Sequence, residues 1–175
     1  MQLSPAEWAV LGAVAEGPTH GFAVALLLAS EGPLGRVWVV PRSAVYAALK
    51  KLGELHLVSP QRVQASERGP ARTIMKLTPA GHRAVQAWLM TPVDRARDVR
   101  SLLLLKLALL DRAGADPLPL LHAERAVLRP RIATLRQRRD ESVGFERILA
   151  DWRLASTEAA LTFVDSAAAT LAAEH

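Results

Sequence analysis

Two short strand-like segments, joined by a turn rich in helix breakers, stand out in a chain whose other patterns are helical. The strands are expected at residues 57–65 and 72–77, and the turn between them contains Gly69 and Pro70. This arrangement predicts a β-hairpin. With 175 residues, 50% of them apolar, the chain is long enough to bury a sizeable core. We therefore expect a mostly α-helical fold with a small β-hairpin.

Two helices begin with a capping residue followed by proline. Ser4 is a good N-cap, Pro5 stands at the first helical position and Glu7 can close a capping box, which predicts a helix from Pro5 to about Glu16. Thr78 and Pro79 repeat this start after the hairpin and predict a helix to about Met90.

Two more helices are predicted between these. The first extends from His20 to about Ser30, with Thr19 as its cap, and the second lies between Pro41 and about His56. One face of the second helix repeats apolar residues at spacings of three and four, which indicates a core-facing stripe. Its polar face carries Arg42, Ser43, Tyr46, Ala47, Lys50 and Glu54. The order helix, helix, helix, hairpin, helix is typical of a winged helix-turn-helix domain.

The positive charge of the chain is concentrated in this region. The whole chain has a net charge of +5, but residues 36–83 contain nine basic and two acidic residues, a local balance of 9 − 2 = +7. Lys50 and Lys51, near the end of the third helix, contribute to it. If the charges were scattered at random along the chain, the positive excess would not be confined to residues 36–83. The segment therefore predicts a surface for a polyanionic partner such as nucleic acid.

Several classes of function are disfavoured by composition. The chain has no cysteine, which excludes disulfides, thiolate zinc sites, iron–sulfur clusters and cysteine nucleophiles. Its five histidines lack a second ligand at metal-binding spacing, so we interpret them as structural or surface residues. No combination of nucleophile, base and orienting group and no phosphate-binding glycine loop is present, and we expect neither an enzyme nor a bound metal or cofactor.

A membrane location is also disfavoured. The most apolar run, residues 102–110, is interrupted by Lys106 and has about half the length that a membrane span needs. A buried helix explains it better. The N-terminus lacks the basic region, apolar stretch and cleavage site of a secretory signal, and we expect a cytoplasmic protein.

Four motifs in order resemble the PadR-type transcriptional regulators. They are Leu11-Gly12, the segment 17–22 (GPTHGF), the segment 40–52 (VPRSAVYAALKKL) and the segment 77–81 (LTPAG). The resemblance is close over roughly residues 1–90 and extends further only in length and helical character. Phe22 stands where the family usually has tyrosine, Ala47 replaces a common proline, and Ile74-Met75 replace a pair that is often aromatic.

The resemblance implies a dimeric repressor that leaves its operator when an effector binds. It implies an N-terminal winged-helix DNA-binding domain, residues 1–95, and a C-terminal helical dimerisation domain, residues 96–175. The family's recognition-helix positions correspond to Arg42, Ser43, Tyr46 and Lys50, and its basic wing positions to Arg68 and Arg72. Together with Lys51, these are the predicted DNA-binding residues. The expected partner is a double-stranded inverted-repeat operator.

From about residue 96 the pattern is entirely helical. Apolar seams at alternating spacings of three and four are formed by Leu118, Leu121, Leu128, Ile132 and Leu135, and by Phe145, Leu149, Trp152, Ala159, Phe163 and Ala167. Pro130 is expected to kink or restart the first of these helices. A monomer this thin cannot cover both seams, which predicts a homodimer.

The second helix lacks a polar face. We expect Leu26 or Leu27 to pack on the C-terminal domain, on a partner subunit or in an effector cavity, with simple exposure as the alternative. A small aromatic effector is possible, and the tryptophans at positions 8, 38, 88 and 152 are candidates to line its cavity, although core filling is the favoured role for each.

Two functions are compatible with these patterns. A DNA-binding transcriptional regulator is favoured, and a winged-helix module for protein–protein contact without an operator is the alternative, since winged helices serve both purposes. The cationic recognition face and wing discriminate between them, because a protein-contact module does not need them.

Overall fold

The computed structural model describes residues 3–65, 71–93 and 95–173. In chain order the described elements are α1 (Pro5–Ala15), β1 (Thr19–His20), α2 (Gly21–Leu27), α3 (Arg42–Glu54), β2 (Val58–Gln64), β3 (Arg72–Leu77), α4 (Pro79–Met90), α5 (Ala96–Asp98), a π-helical segment (Val99–Leu103), α6 (Leu104–Arg112), α7 (Leu118–Glu141) and α8 (Gly144–Ala173). The protein is 69% helical, and the predicted mostly helical fold with a small β-hairpin is confirmed, the hairpin being part of a three-stranded antiparallel sheet.

Both proline-containing helix starts have the predicted caps. The Ser4 hydroxyl accepts from the Glu7 N–H at 3.3 Å, and the Glu7 carboxylate accepts from the Ser4 N–H at 2.8 Å, which completes the capping box of α1. At α4 the Thr78 hydroxyl accepts from the Gly81 N–H at 3.0 Å. A Cβ added to Gly81 would lie 2.0 Å from the carbonyl oxygen of Leu57, so this helix start requires glycine.

The predicted cap of α2 is wrong. Thr19 lies in β1, and the residue that caps α2 is His20, whose Nδ1 accepts from the Ala23 N–H at 3.0 Å. Thr19 is extended because it pairs with Met75 in the sheet. The helix also ends at Leu27, earlier than expected.

The described strands form one antiparallel sheet in the order β1-β3-β2. The predicted hairpin is β2 and β3, with an irregularity in register between Pro60 and Arg62. The strand β1 was not predicted, because two residues are too few to show an alternating pattern. It pairs His20 with Ile74 and thereby brings the start of α2 beside the wing strand that begins at Arg72.

Two compact units divide the chain. The first contains residues 1–89 and 105–115, and the second contains residues 90–104 and 116–175. In the first unit α1 is buried from Ala9 to Val14, and α6 adds Leu105 and Leu109 to the same core. Lys106 of α6 is 2% exposed, and its ammonium lies 4.9 Å from the centre of the Trp88 ring. The boundary between the DNA-binding and dimerisation domains, placed between residues 95 and 96 from the sequence, stays a prediction.

In the second unit α7 continues through Pro130, so the alternative of a restarted helix is wrong. Leu121, Leu128 and Ile132 of its predicted seam are buried. The predicted seam of α8 is not the face that this helix buries. The buried face is formed by Ala150, Leu154, Thr157, Ala160, Val164 and Ala168. An ion pair between Arg125 and Asp165 also joins the two helices.

None of the helices in the described ranges combines the length and the apolar character needed to cross a membrane.

Candidate nucleic-acid interface

The exposed face of α3 carries the predicted recognition residues. Arg42, Ser43, Tyr46 and Lys50 are all exposed, whereas Val45, Ala48, Leu49 and Leu52 on the other side are buried in the core. The helix is amphipathic because the apolar residues return every three or four positions. The polar face is therefore presented to solvent by the packing of the apolar one.

Tyr46 is held in place by close packing of α2 on α3. A Cβ added to Gly21 would lie 2.8 Å from Cε1 of Tyr46, so glycine at this position allows the ring to approach the α2 backbone. The tyrosine is nevertheless 44% exposed. The packing against α2 therefore fixes the position of the Tyr46 ring, while part of the side chain stays accessible to solvent.

Two arginines from different elements meet at one aromatic ring. The guanidinium carbon of Arg42, on α3, lies 5.2 Å from the centre of the Phe22 ring, and that of Arg72, on β3, lies 5.4 Å from the same centre. Arg42 is also 5.7 Å from the Tyr46 ring centre. Such cation–π contacts are each worth about 0.5–1 kcal/mol at exposed sites. Phe22 lacks the hydroxyl of tyrosine, but its ring positions the two cations.

The two lysines at the end of α3 differ in their surroundings. Lys51 Nζ lies 2.8 Å from Oε1 of Glu7, and this bond holds the pKa of the Glu7 carboxyl below its usual value. Lys50 lies 4.0 Å from Glu54 in an exposed pair, which contributes little energy. Lys51 therefore links α3 to α1, and its predicted DNA contact would compete with an existing ion pair. The ion pair of Lys50 with Glu54 is longer and more exposed, so it would compete less with a DNA contact.

The wing residues are described only in part. Arg72 is exposed at the first position of β3, and Arg68 lies outside the described residues. The structure thus brings Arg42 and Arg72 together and places Ser43, Tyr46 and Lys50 along the same helix face as Arg42.

His20 is the residue of this surface that the sequence reasoning missed. Its capping of α2 agrees with the interpretation as a structural or surface histidine, but the sequence does not predict that its Nε2 lies 3.3 Å from Nη1 of Arg72. The sequence signal that could have drawn attention to it is the short segment between Pro18 and Gly21, where two extended residues precede a helix.

Three of the four tryptophans have the favoured core-filling role. Trp8, Trp38 and Trp88 pack against the core of the first unit, and Trp8 and Trp88 stack on each other with ring centres 4.9 Å apart. That separation leaves no space for a ligand between the rings. The expectation of core filling is wrong for Trp152, which is 70% exposed.

No group of three His, Asp or Glu side chains in the described ranges is arranged so that it could hold a metal ion. A groove of about 430 Å³ lies in the second unit, between α7 and α8. It is lined by Arg129, Ile132, Arg136, Glu158, Leu161 and Thr162.

Residues 10–87 match the model of the transcriptional regulator PadR-like family. No curated protein matches the sequence significantly. This match covers the helices α2, α3 and the sheet, and therefore every described residue of the candidate interface.

Several solved structures are similar over most of the chain. Bacillus subtilis PadR in complex with operator DNA is 16% identical, with 93% of this chain and 97% of that chain covered and a TM-score of 0.47. The protein smu.1604c from Streptococcus mutans UA159 is 15% identical, with 93% and 98% covered and a TM-score of 0.44. The PadR-like regulator BC1756 from Bacillus cereus is 18% identical, with 97% and 99% covered and a TM-score of 0.40.

Proposed function

We propose that this protein is a sequence-specific DNA-binding repressor that acts as a homodimer, and the match of residues 10–87 to the transcriptional regulator PadR-like family model supports this proposal. The observation that supports it best is the convergence of Arg42 of α3 and Arg72 of β3 on Phe22. A recognition helix and a wing must present their cations to one duplex, and this contact fixes both relative to a common ring.

Within the interface, the two elements have different tasks. Ser43, Tyr46 and Lys50 lie on the helix face that would enter the major groove, where side chains reach base edges. Arg72 belongs to the wing, where a phosphate or the adjacent minor groove is the nearer target. A repressor of this kind acts on chromosomal DNA, so the proposal includes a cytoplasmic location.

A second copy of the chain would cover the exposed apolar side of α8. Phe145, Ile148, Trp152 and Phe163 are exposed at 71%, 65%, 70% and 36%, and their spacing places them on one side of the helix, opposite its buried face. A single protein rarely exposes a row of large apolar side chains without a partner. In our proposal this apolar side of α8, called the α8 stripe below, packs on its symmetry mate around a two-fold axis.

Release by a small effector completes the proposal. The groove between α7 and α8 has a volume within the range of small-molecule sites. It combines the cation Arg129 and apolar Ile132 and Leu161 with Arg136, whose guanidinium pairs with Glu158 at 2.7 Å. This lining suits a small aromatic carboxylate. A thermal-shift screen of such acids tests the assignment, with Arg129→Ala as the variant that should abolish the shift.

A two-fold dimer predicts the form of the operator. Paired recognition helices would contact major grooves about one helical turn apart, roughly 34 Å, or a multiple of it, so selection from a random duplex library should return an inverted repeat. Enrichment of sites without a dyad contradicts the dimeric arrangement.

Salt titrations on the selected operator and on random DNA test the interface itself. Arg72→Ala should weaken both DNAs about equally and lower the slope of log affinity against log salt by about one. Tyr46→Ala should instead reduce the preference for the operator, by about 1–3 kcal/mol if a base contact is lost. Arg138→Ala, which removes the same charge from α7, is the control and should change neither quantity.

Failure of the wild-type protein to bind any duplex refutes the proposal, and the cationic surface would then serve a protein partner. Uniform loss of affinity in all the interface variants would show that α3 contacts only the backbone.

A further inference from the structure

The ring of His20 contacts two hydrogen-bond donors. Its Nδ1 lies 3.0 Å from the backbone nitrogen of Ala23, in the first turn of α2, and its Nε2 lies 3.3 Å from Nη1 of Arg72. A neutral imidazole has one nitrogen that accepts and one that donates, and a protonated imidazole has no acceptor. His20 therefore cannot accept from both partners.

The partner of Nδ1 decides which nitrogen bears the proton. The Ala23 N–H belongs to the first turn of a helix, where backbone donors lack intrahelical acceptors, and it can only donate. Nδ1 therefore accepts, and the proton of the neutral ring is on Nε2. Arg72 has five N–H donors and no acceptor. The Nε2–H of His20 and the Nη1–H of Arg72 are consequently two donors side by side.

Within the described ranges, the side chains in contact with His20 and Arg72 supply no oxygen acceptor for this pair of donors. Arg42 and Arg72 both lie over the Phe22 ring, which offers a weakly negative face but no carboxylate. Two donors 3.3 Å apart can both reach a single oxygen at an ordinary hydrogen-bond distance of about 2.9 Å. A phosphate oxygen is an acceptor of the right charge for such a pair.

We propose that His20, with its proton on Nε2, and Arg72 donate together to one phosphodiester oxygen of duplex DNA. This inference rests on the proposed function and adds to it a neutral contact, fixed in its tautomer by the cap of α2. Arg72 supplies the positive charge of this contact, and His20 supplies a hydrogen bond whose direction is fixed by the cap of α2.

Two substitutions of His20 separate the cap from the DNA contact. Asparagine is among the best N-cap residues and its Oδ1 replaces Nδ1 as the acceptor, but no atom of it reaches the position of Nε2. Glutamine is longer and carries an N–H donor near that position. His20→Asn should therefore keep the melting temperature and weaken DNA binding, whereas His20→Gln should retain more of the affinity and lose the cap.

The measurement is fluorescence anisotropy with a random-sequence duplex at several salt concentrations. His20→Asn should reduce the affinity about tenfold, as expected for a hydrogen bond to a charged acceptor, without changing the salt slope, because it removes no charge. Arg72→Gln should lower the slope by about one. In the Arg72→Gln background, His20→Asn should cost at most about threefold, because the two donors share one oxygen.

Each failure has a separate meaning. If the wild-type protein binds no duplex, the proposed function is wrong. If it binds and His20→Asn binds equally well at every salt concentration, the function stands and the shared phosphate contact is wrong. Inorganic phosphate is the free-anion control: if it shifts the His20 ring signals in NMR spectra as the duplex does, the pair is a general anion site and the inference is overturned.

Discussion

Replacing Trp152 by alanine tests whether the α8 stripe joins two copies of the chain. The side chain is 70% exposed in the single chain and lies on the stripe between Phe145 and Phe163. Dimer formation would bury most of it. The substitution removes that gain without touching the buried face of α8, so the subunit itself should remain folded.

The size of the effect follows from the exposed area. A tryptophan side chain buries about 150–250 Å², so the exposed 70% corresponds to roughly 150 Å². At about 25 cal/mol per Å², this area is worth about 4 kcal/mol, of which alanine would retain about one. A two-fold dimer contains two copies of Trp152, so the loss occurs twice, but only part of the free energy of burial appears as binding free energy. We expect at least about 3 kcal/mol, or about a 100-fold weaker dimer.

The assay is sedimentation or light scattering over a dilution series. Arg153→Ala is the matched control, because Arg153 is the next residue along α8, is also exposed and lies about 100° around the helix from the stripe. It should leave the dimer dissociation constant unchanged. An unchanged constant for Trp152→Ala, or a wild-type protein that is monomeric, would refute the reasoning.

Three further experiments test the first unit. Gly81→Ala should destabilise the protein by about 3 kcal/mol in denaturant unfolding, because its Cβ would lie 2.0 Å from a carbonyl oxygen, whereas Gly53→Ala, with nothing within 4 Å, should be neutral or stabilise by up to about 1 kcal/mol. The hydrogen bond from Lys51 lowers the pKa of the Glu7 carboxyl from 4.5, so the ion pair stabilises the folded protein fully above pH 4.5 and loses this contribution as the pH falls. The unfolding midpoints of Glu7→Gln and of the wild type should therefore converge in acid. Leu27→Lys should lower the melting temperature because Leu27 packs on the core, whereas Leu26→Lys, at a position 56% exposed, should leave subunit unfolding unchanged; equal losses would contradict this division.

Local signals in the sequence were sufficient for most of the helices. Ser4 with Glu7 and Thr78 with Pro79 mark helix starts whose hydrogen bonds close within three residues, and such contacts do not depend on the rest of the fold. The apolar repeat of α3 likewise placed Tyr46 and Lys50 on its exposed side. The exposed polar face of α3 could therefore be predicted from the sequence.

Long-range pairing decided the features that the sequence did not predict. Thr19 has good capping chemistry, but pairing with Met75 made it a strand residue and left the cap to His20. On α8 two apolar faces compete, and the smaller residues of one face, such as Ala150 and Ala160, are the ones buried against α7.

What the sequence by itself determined is the succession of helices and hairpin and the cationic face of α3, because each depends on periodicity and caps within a few residues. Only the tertiary structure decided that Arg72 meets Arg42 at Phe22 and that His20 stands beside Arg72. These residues are separated by up to 52 positions, and their contact depends on sheet register and helix packing. Such geometry results from the simultaneous packing of many side chains, which no local pattern records.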